Sequence, residues 1–355
     1  REVEIPADIT EADESLYSLL QQVAFSRHLN PCNGREARLI FEAGAETPPF
    51  EYHPLESADD LRRSLDAMQP RRDHPAGVLV GACIDSVRRL VDALDYRTEE
   101  AFDLMNKAAD WYPDAELLGQ EYTPQKPTAP MNVPAQVLIE HFECAFQARG
   151  MVDWRIEKDE VMSARVLVDS AKRLVRVNPK SRFRARDLTR LVVHEIDVHA
   201  RRATNGEKQP LKCFVTGLPG SLATEEGLAM VAEESSGTSS PGVLARQSQV
   251  VAAIDKARTT GFRDLYEYMC ARVSPGLAWG ICLRVKRGLS DPEKPGVYAK
   301  DSVYLSGRNK VREWLDSGGN ISHLYVGKVG IDDPVSDWLS QGWITEQPVP
   351  SLWFD

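Results

Sequence analysis

The residues of this chain best suited to chemistry lie together at His194-Glu195-Ile196-Asp197-Val198-His199. Two imidazoles and a carboxylate at close spacing form a donor set that suits zinc. A glutamate beside the first histidine suits a general base that takes a proton from water at the metal. The histidines stand five positions apart, whereas the common His-Glu-x-x-His zinc motif separates them by four. At about 100° per residue, a straight α-helix would turn the second ring roughly 140° away from the first. Both rings can reach one ion only if the helix ends between them or widens to the π form, a distortion that gathers at functional sites. The bland alternative is a pair of ordinary core histidines, and spacing alone leaves both open.

A third ligand should come from a neighbouring element. The best candidate segment is Thr224-Glu225-Glu226-Gly227-Leu228-Ala229-Met230-Val231-Ala232-Glu233-Glu234, a helix start with two adjacent carboxylates facing an apolar continuation. Adjacent helical residues point about 100° apart, so only one of the two can face an ion. Acids at a helix N-terminus also have a plain electrostatic reason to be there. A His, His, Glu set would leave a fourth position open for water, the catalytic arrangement, whereas structural zinc sites carry four protein ligands and often cysteines. The six cysteines, Cys32, Cys83, Cys144, Cys213, Cys270 and Cys282, form no C-x-x-C pair. They read as reduced thiols, mostly buried as small hydrophobes, which favours a cytoplasmic location.

Several elements must position these groups. The run Leu188, Leu191, Val192, Val193 anchors a helix expected over 185–204. Before it, 153–157, 163–168 and 173–177 are short, β-branched and roughly alternating, and the last two read as a hairpin. Helical periodicity marks 9–27, 57–68, 77–95, 98–111 and 135–149, while 35–53 reads as irregular or weakly β. The expected architecture is α+β: mainly helical, with a small antiparallel sheet beside a zinc-binding helix, in a zincin-like arrangement. The expected organisation is a helical N-terminal region over 1–118, a Pro-rich linker or long loop over 119–134, and a catalytic region over 135–355.

Composition narrows the partners. A formal charge of −10 over 355 residues argues against nucleic acid, whose binders present a basic footprint. No apolar run approaches the ~18–20 residues needed to span a bilayer, and the first fifteen residues carry no apolar signal-peptide core. Oligomeric state is not encoded in any readable feature.

A series of short motifs runs through the second half: HEIDVH at 194–199, NG at 205–206 with QPL at 209–211, LPG at 218–220, and EEGLA at 225–229. RVKRG at 284–288, AKDSVYLSG at 299–307 and VGKV at 326–329 follow. In this ordered series the chain resembles the microtubule-associated tyrosine carboxypeptidase family and its bacterial relatives, known for a QEGLA motif. The resemblance implies His194, His199 and Glu226 as zinc ligands and Glu195 as catalytic base. Glu225 stands where the motif has Gln. The eukaryotic members release a C-terminal aromatic residue, so the resemblance implies an exopeptidase acting on a peptide or protein C-terminus. A free carboxylate calls for arginine or lysine. Arg284, Arg287 and Lys300 are the candidates, with Tyr304 as a hydroxyl or oxyanion donor and Arg201 and Arg202 as weaker ones. A solvated basic stretch is the bland alternative for RVKRG. A zinc amidohydrolase, an endopeptidase and a non-enzymatic zinc-containing regulatory protein share the same motifs. An acidic tubulin tail is disfavoured as substrate, because like charges slow encounter.

Overall fold

The computed structural model describes residues 4–125, 129–160, 162 and 164–354. Residues 126–128 of the expected linker and Ser163 of the expected hairpin lie outside them. The chain forms two compact units that interleave in sequence. One comprises 1–21, 125–243 and 307–355; the other comprises 22–124 and 244–306. Among the described residues, helix dominates and no helix is long and apolar enough to cross a membrane.

The first unit carries the sheet. Leu174–Val177 lies at its centre, paired antiparallel with Val166–Asp169 and parallel with Arg155–Lys158. The hairpin is as expected, but the sheet is mixed rather than purely antiparallel. The chain reverses twice between Arg155 and Val177, so the third strand runs in the direction of the first. It takes the central place because Leu174, Val175 and Val177 are buried, whereas Arg155–Lys158 is polar and suits an edge. The strand core packs with Phe142 and Phe146 of the Ala135–Ala148 helix, Trp154, and Val192, Ile196 and Ala200 of the following helix.

Two glycines set a close approach in this unit. A Cβ on Gly227, in the Ser221–Ser235 helix, would stand 2.1 Å from the carbonyl carbon of Gly307. A Cβ on Gly307 would stand 1.9 Å from the carbonyl oxygen of Ala223. The two backbones therefore cross in direct contact, which explains the glycines of EEGLA and AKDSVYLSG. Asn205 of the NG motif donates to the Tyr325 and Pro348 carbonyls, and Gln209 of QPL donates to those of Val326 and Thr345. These motif residues fasten chain segments to one another.

The second unit is helical. Its helices include Gly34–Glu42, Ala58–Ala67, Pro75–Tyr96, Glu99–Ala108, Phe262–Cys270 and Pro275–Lys286. The Gly34–Glu42 helix corrects the irregular reading of 35–53. Leu39-Ile40-Phe41 looks like a β run, but Leu39 and Ile40 are exposed, while Ala37 and Phe41 bury one helical face. Lys286 of RVKRG is fully buried, and its ammonium donates to the carbonyls of Thr260 at 2.7 Å and Lys294 at 2.8 Å.

Two expectations follow. Gly227→Ala should lower the unfolding free energy by about 1–3 kcal/mol or more, because neither backbone can yield; urea titration reads this. Burial lowers the Lys286 ammonium from 10.5 to about 8. Between those values the unfolded chain binds a proton that the folded chain does not, so stability must rise with pH across that window. Relative to Lys286→Met, the wild-type midpoint should climb from pH 8 to pH 10, by up to about 3 kcal/mol at 1.36 kcal/mol per unit. A flat difference would contradict it.

Candidate metal centre

The helix carrying the two histidines starts as α-helix over Ala185–Leu191, where the Asp187 carboxylate accepts the Arg184 backbone N–H at 3.0 Å. It widens to π-helix over Val192–Ala200 and returns to α-helix over Arg201–Gly206. Of the two arrangements expected if both histidines face one ion, a helix end or a π widening, the chain adopts the second. The Arg201 backbone N–H reaches the Ile196 carbonyl five residues back. Positions 192, 196 and 200 enter the core, and the opposite side presents His194 and His199, with ring centroids 4.8 Å apart at 73°. Ligand atoms of His194, Glu195 and His199 all lie within 4.8 Å of one another.

The Ser221–Ser235 helix supplies the remaining groups. Glu226 Oε2 stands 3.5 Å from His194 Nε2 and 3.6 Å from His199 Nε2. These separations are long for hydrogen bonds, and this buried oxygen has no hydrogen-bond partner. Ligand atoms about 2.0–2.2 Å from a tetrahedral ion stand roughly 3.4 Å from one another. The residues therefore fit a metal ion at their centre. Glu195 Oε2 lies 4.0 Å from His199 Nε2, beside that centre.

Each imidazole is held from behind. Glu233 Oε1 lies 2.7 Å from His194 Nδ1, and Glu225 Oε1 lies 2.7 Å from His199 Nδ1. Both contacts place a carboxylate on Nδ1 and leave Nε2 turned toward Glu226. Arg190 reaches Glu233 at 3.2 Å. Glu225 is paired with Arg202 and, at 3.0 Å, with Lys328. The two adjacent carboxylates thus divide the work, Glu226 facing the centre and Glu225 backing a histidine. Sequence reasoning missed Glu233, although its position seven residues after Glu226 puts it on the same helical face.

Four carboxylates, those of Glu195, Glu225, Glu226 and Glu233, converge on two imidazoles with three cations between them. Burial disfavours imidazolium, but Glu226 and Glu233 outweigh it at His194, whose pKa is held well above its ordinary value. At His199 the carboxylates of Glu226 and Glu225 raise it to about 9 against the same burial penalty. Glu226 is held well below the usual carboxylate range, burial notwithstanding, by the two imidazoles.

Arg284, Arg287, Lys300 and Tyr304 lie in the second unit, Arg201 and Arg202 in the first. Arg284 makes a two-pronged contact to Asp301 at 2.5 and 3.0 Å, and Arg287 approaches the same carboxylate at 3.7 Å. Arg287 also sits over the Tyr298 ring. Despite burial, Arg284, Arg287 and Lys300 hold the Asp301 carboxyl below its ordinary value. Tyr304 is half-buried and acts electrostatically on Arg284. Arg201 donates to the Arg149 carbonyl, and Arg202 is committed to buried partners.

The family described as microtubule-associated tyrosine carboxypeptidase matches residues 40–354. Relatives include the microtubule-associated tyrosine carboxypeptidase 1 of Mus musculus, 29% identical over 163 residues, covering 44% of this chain and 34% of the relative. The protein of the same name from Rattus norvegicus is 29% identical over 214 residues, covering 58% and 44%. The matched stretches thus span less than half of those relatives.

The carboxylates favour a proton on each imidazole, and a divalent ion bound through the same nitrogens would compete with that proton. Calorimetric titration at pH 7 in buffers of different ionisation enthalpy should show release of about one to two protons per ion. Zero release would contradict the raised affinity of these imidazoles for protons.

Proposed function

This chain belongs to the microtubule-associated tyrosine carboxypeptidase family, and from that premise we propose that it is a zinc-dependent carboxypeptidase removing a residue from a peptide or protein C-terminus. The observation that carries the reading is the unpartnered, buried Glu226 oxygen, 3.5 and 3.6 Å from the Nε2 atoms of His194 and His199. His194, His199 and Glu226 hold the ion. A bound zinc would supply a Lewis acid and lower the pKa of water to near neutrality.

Glu195 takes the proton of the attacking water and returns it to the departing amine, a role its place beside the centre suits. Glu225 and Glu233 keep the imidazole rings oriented. The Val166–Asp169 strand is an edge of its sheet and packs against the π-helix. Its outer edge suits an extended peptide held by backbone hydrogen bonds. For the substrate carboxylate we carry forward Arg284, Arg287 and Lys300, because Asp301 neutralises only one of their three charges. Tyr304 is the hydroxyl donor of the same reading. An aromatic leaving residue follows the name of the mouse relative.

Glu195→Gln should retain stoichiometric zinc and lose turnover by at least about 10²-fold. Retained turnover would remove Glu195 from the base role. Peptides with a free C-terminal carboxylate should lose one residue, and their amidated counterparts should resist. Equal cleavage of both would replace the carboxypeptidase reading with an endopeptidase.

A further inference from the structure

Glu225 differs from every other acid near the centre in the company it keeps. It is 4% exposed, its Oε1 lies 2.7 Å from His199 Nδ1, and its two oxygens are shared with Arg202 and Lys328. Arg202 is fully buried, lies on the same helix as His199, and anchors itself to the Leu324 carbonyl at 2.7 Å and the Val329 carbonyl at 2.5 Å. Lys328 reaches in from a backbone pinned on both sides. Its N–H donates to the Phe214 carbonyl at 2.8 Å, and its carbonyl accepts the Leu218 N–H at 3.0 Å. The VGKV segment is thereby fastened to the ligand through one carboxylate.

The QEGLA form of this motif has a neutral amide at this position. An amide oxygen can also accept the Nδ1–H of a histidine, but without net charge. A carboxylate accepts a stronger hydrogen bond and pushes electron density into the ring, raising the basicity of Nε2. Two cations on one carboxylate draw that charge back. From this geometry we infer that Glu225 is a positioning residue that strengthens metal retention through His199, and that Lys328 tempers it. The inference rests on the metal reading above.

Zinc affinity, measured by competition with a chromophoric chelator on the full chain, tests it apart from turnover. Glu225→Gln is isosteric and keeps the acceptor; it should weaken zinc binding by about tenfold, the lower end of the range for outer partners of a metal ligand. Lys328→Met leaves the carboxylate less compensated and should hold zinc as tightly as wild type or more so. General damage to the site would weaken both variants alike. Any other pattern overturns the inference, including a Glu225→Gln affinity within twofold of wild type or a Lys328→Met affinity weakened beyond twofold. A wild-type chain that takes up no zinc sinks the underlying metal reading instead.

Discussion

A π-helical turn is wider and packs less well along its axis than an α-helical one, so nine residues in that form need support from outside. Val192–Ala200 receives it from two sides. On the buried side Val192, Ile196 and Ala200 lock into the cluster of Phe142, Phe146 and Trp154. On the other, Arg149 grips Asp197 with two hydrogen bonds of 2.5 and 2.9 Å, and Tyr325 donates its hydroxyl to the Asp197 carbonyl at 3.0 Å. Tyr325 is in turn held by Trp353. The arrangement of the centre depends on this widening, because within a continuous helix it brings His194 and His199, five positions apart, to the same side.

The second organising constraint is electrostatic. Burying a carboxylate costs several kcal/mol unless a partner offsets it. Here four carboxylates share one small volume, and each cation that offsets them is also a structural fastener. Arg190 links Glu233 to Asp187 at the helix start. Arg202 and Lys328 link Glu225 to the Leu324–Val329 segment. The cations that offset the buried carboxylates are thus the same ones that close the chain around the centre.

Much of this was legible in the sequence because the signals were local. The five-position histidine spacing has few solutions in helical geometry, and the π form is one. The hairpin, the helix over 135–149 and the switch to strands after it follow from short periodic patterns. What was not legible depends on distant partners. Nothing in the local pattern says that the central strand would be Leu174–Val177, or that Phe41 rather than Leu39 would turn inward. The roles of Lys286 and Asn205 could not be read either, since their partners are backbone carbonyls that lie 8 and 26 residues away for the lysine and 120 for the asparagine's Tyr325 contact. RVKRG resembled a solvated helix face, yet its lysine lies in the interior.

The contact between Gly227 and Gly307 carries a consequence for how such a chain can change over evolutionary time. Glu225 and Glu226 sit immediately before the point where two backbones touch, so the register of that helix is fixed by the crossing as well as by its side chains. An inserted or deleted residue between these acids and the crossing would rotate both by about 100°, so that at most one of them could occupy either position. Loops elsewhere can lengthen freely, but the count of residues from these acids to the crossing is as constrained as their identity.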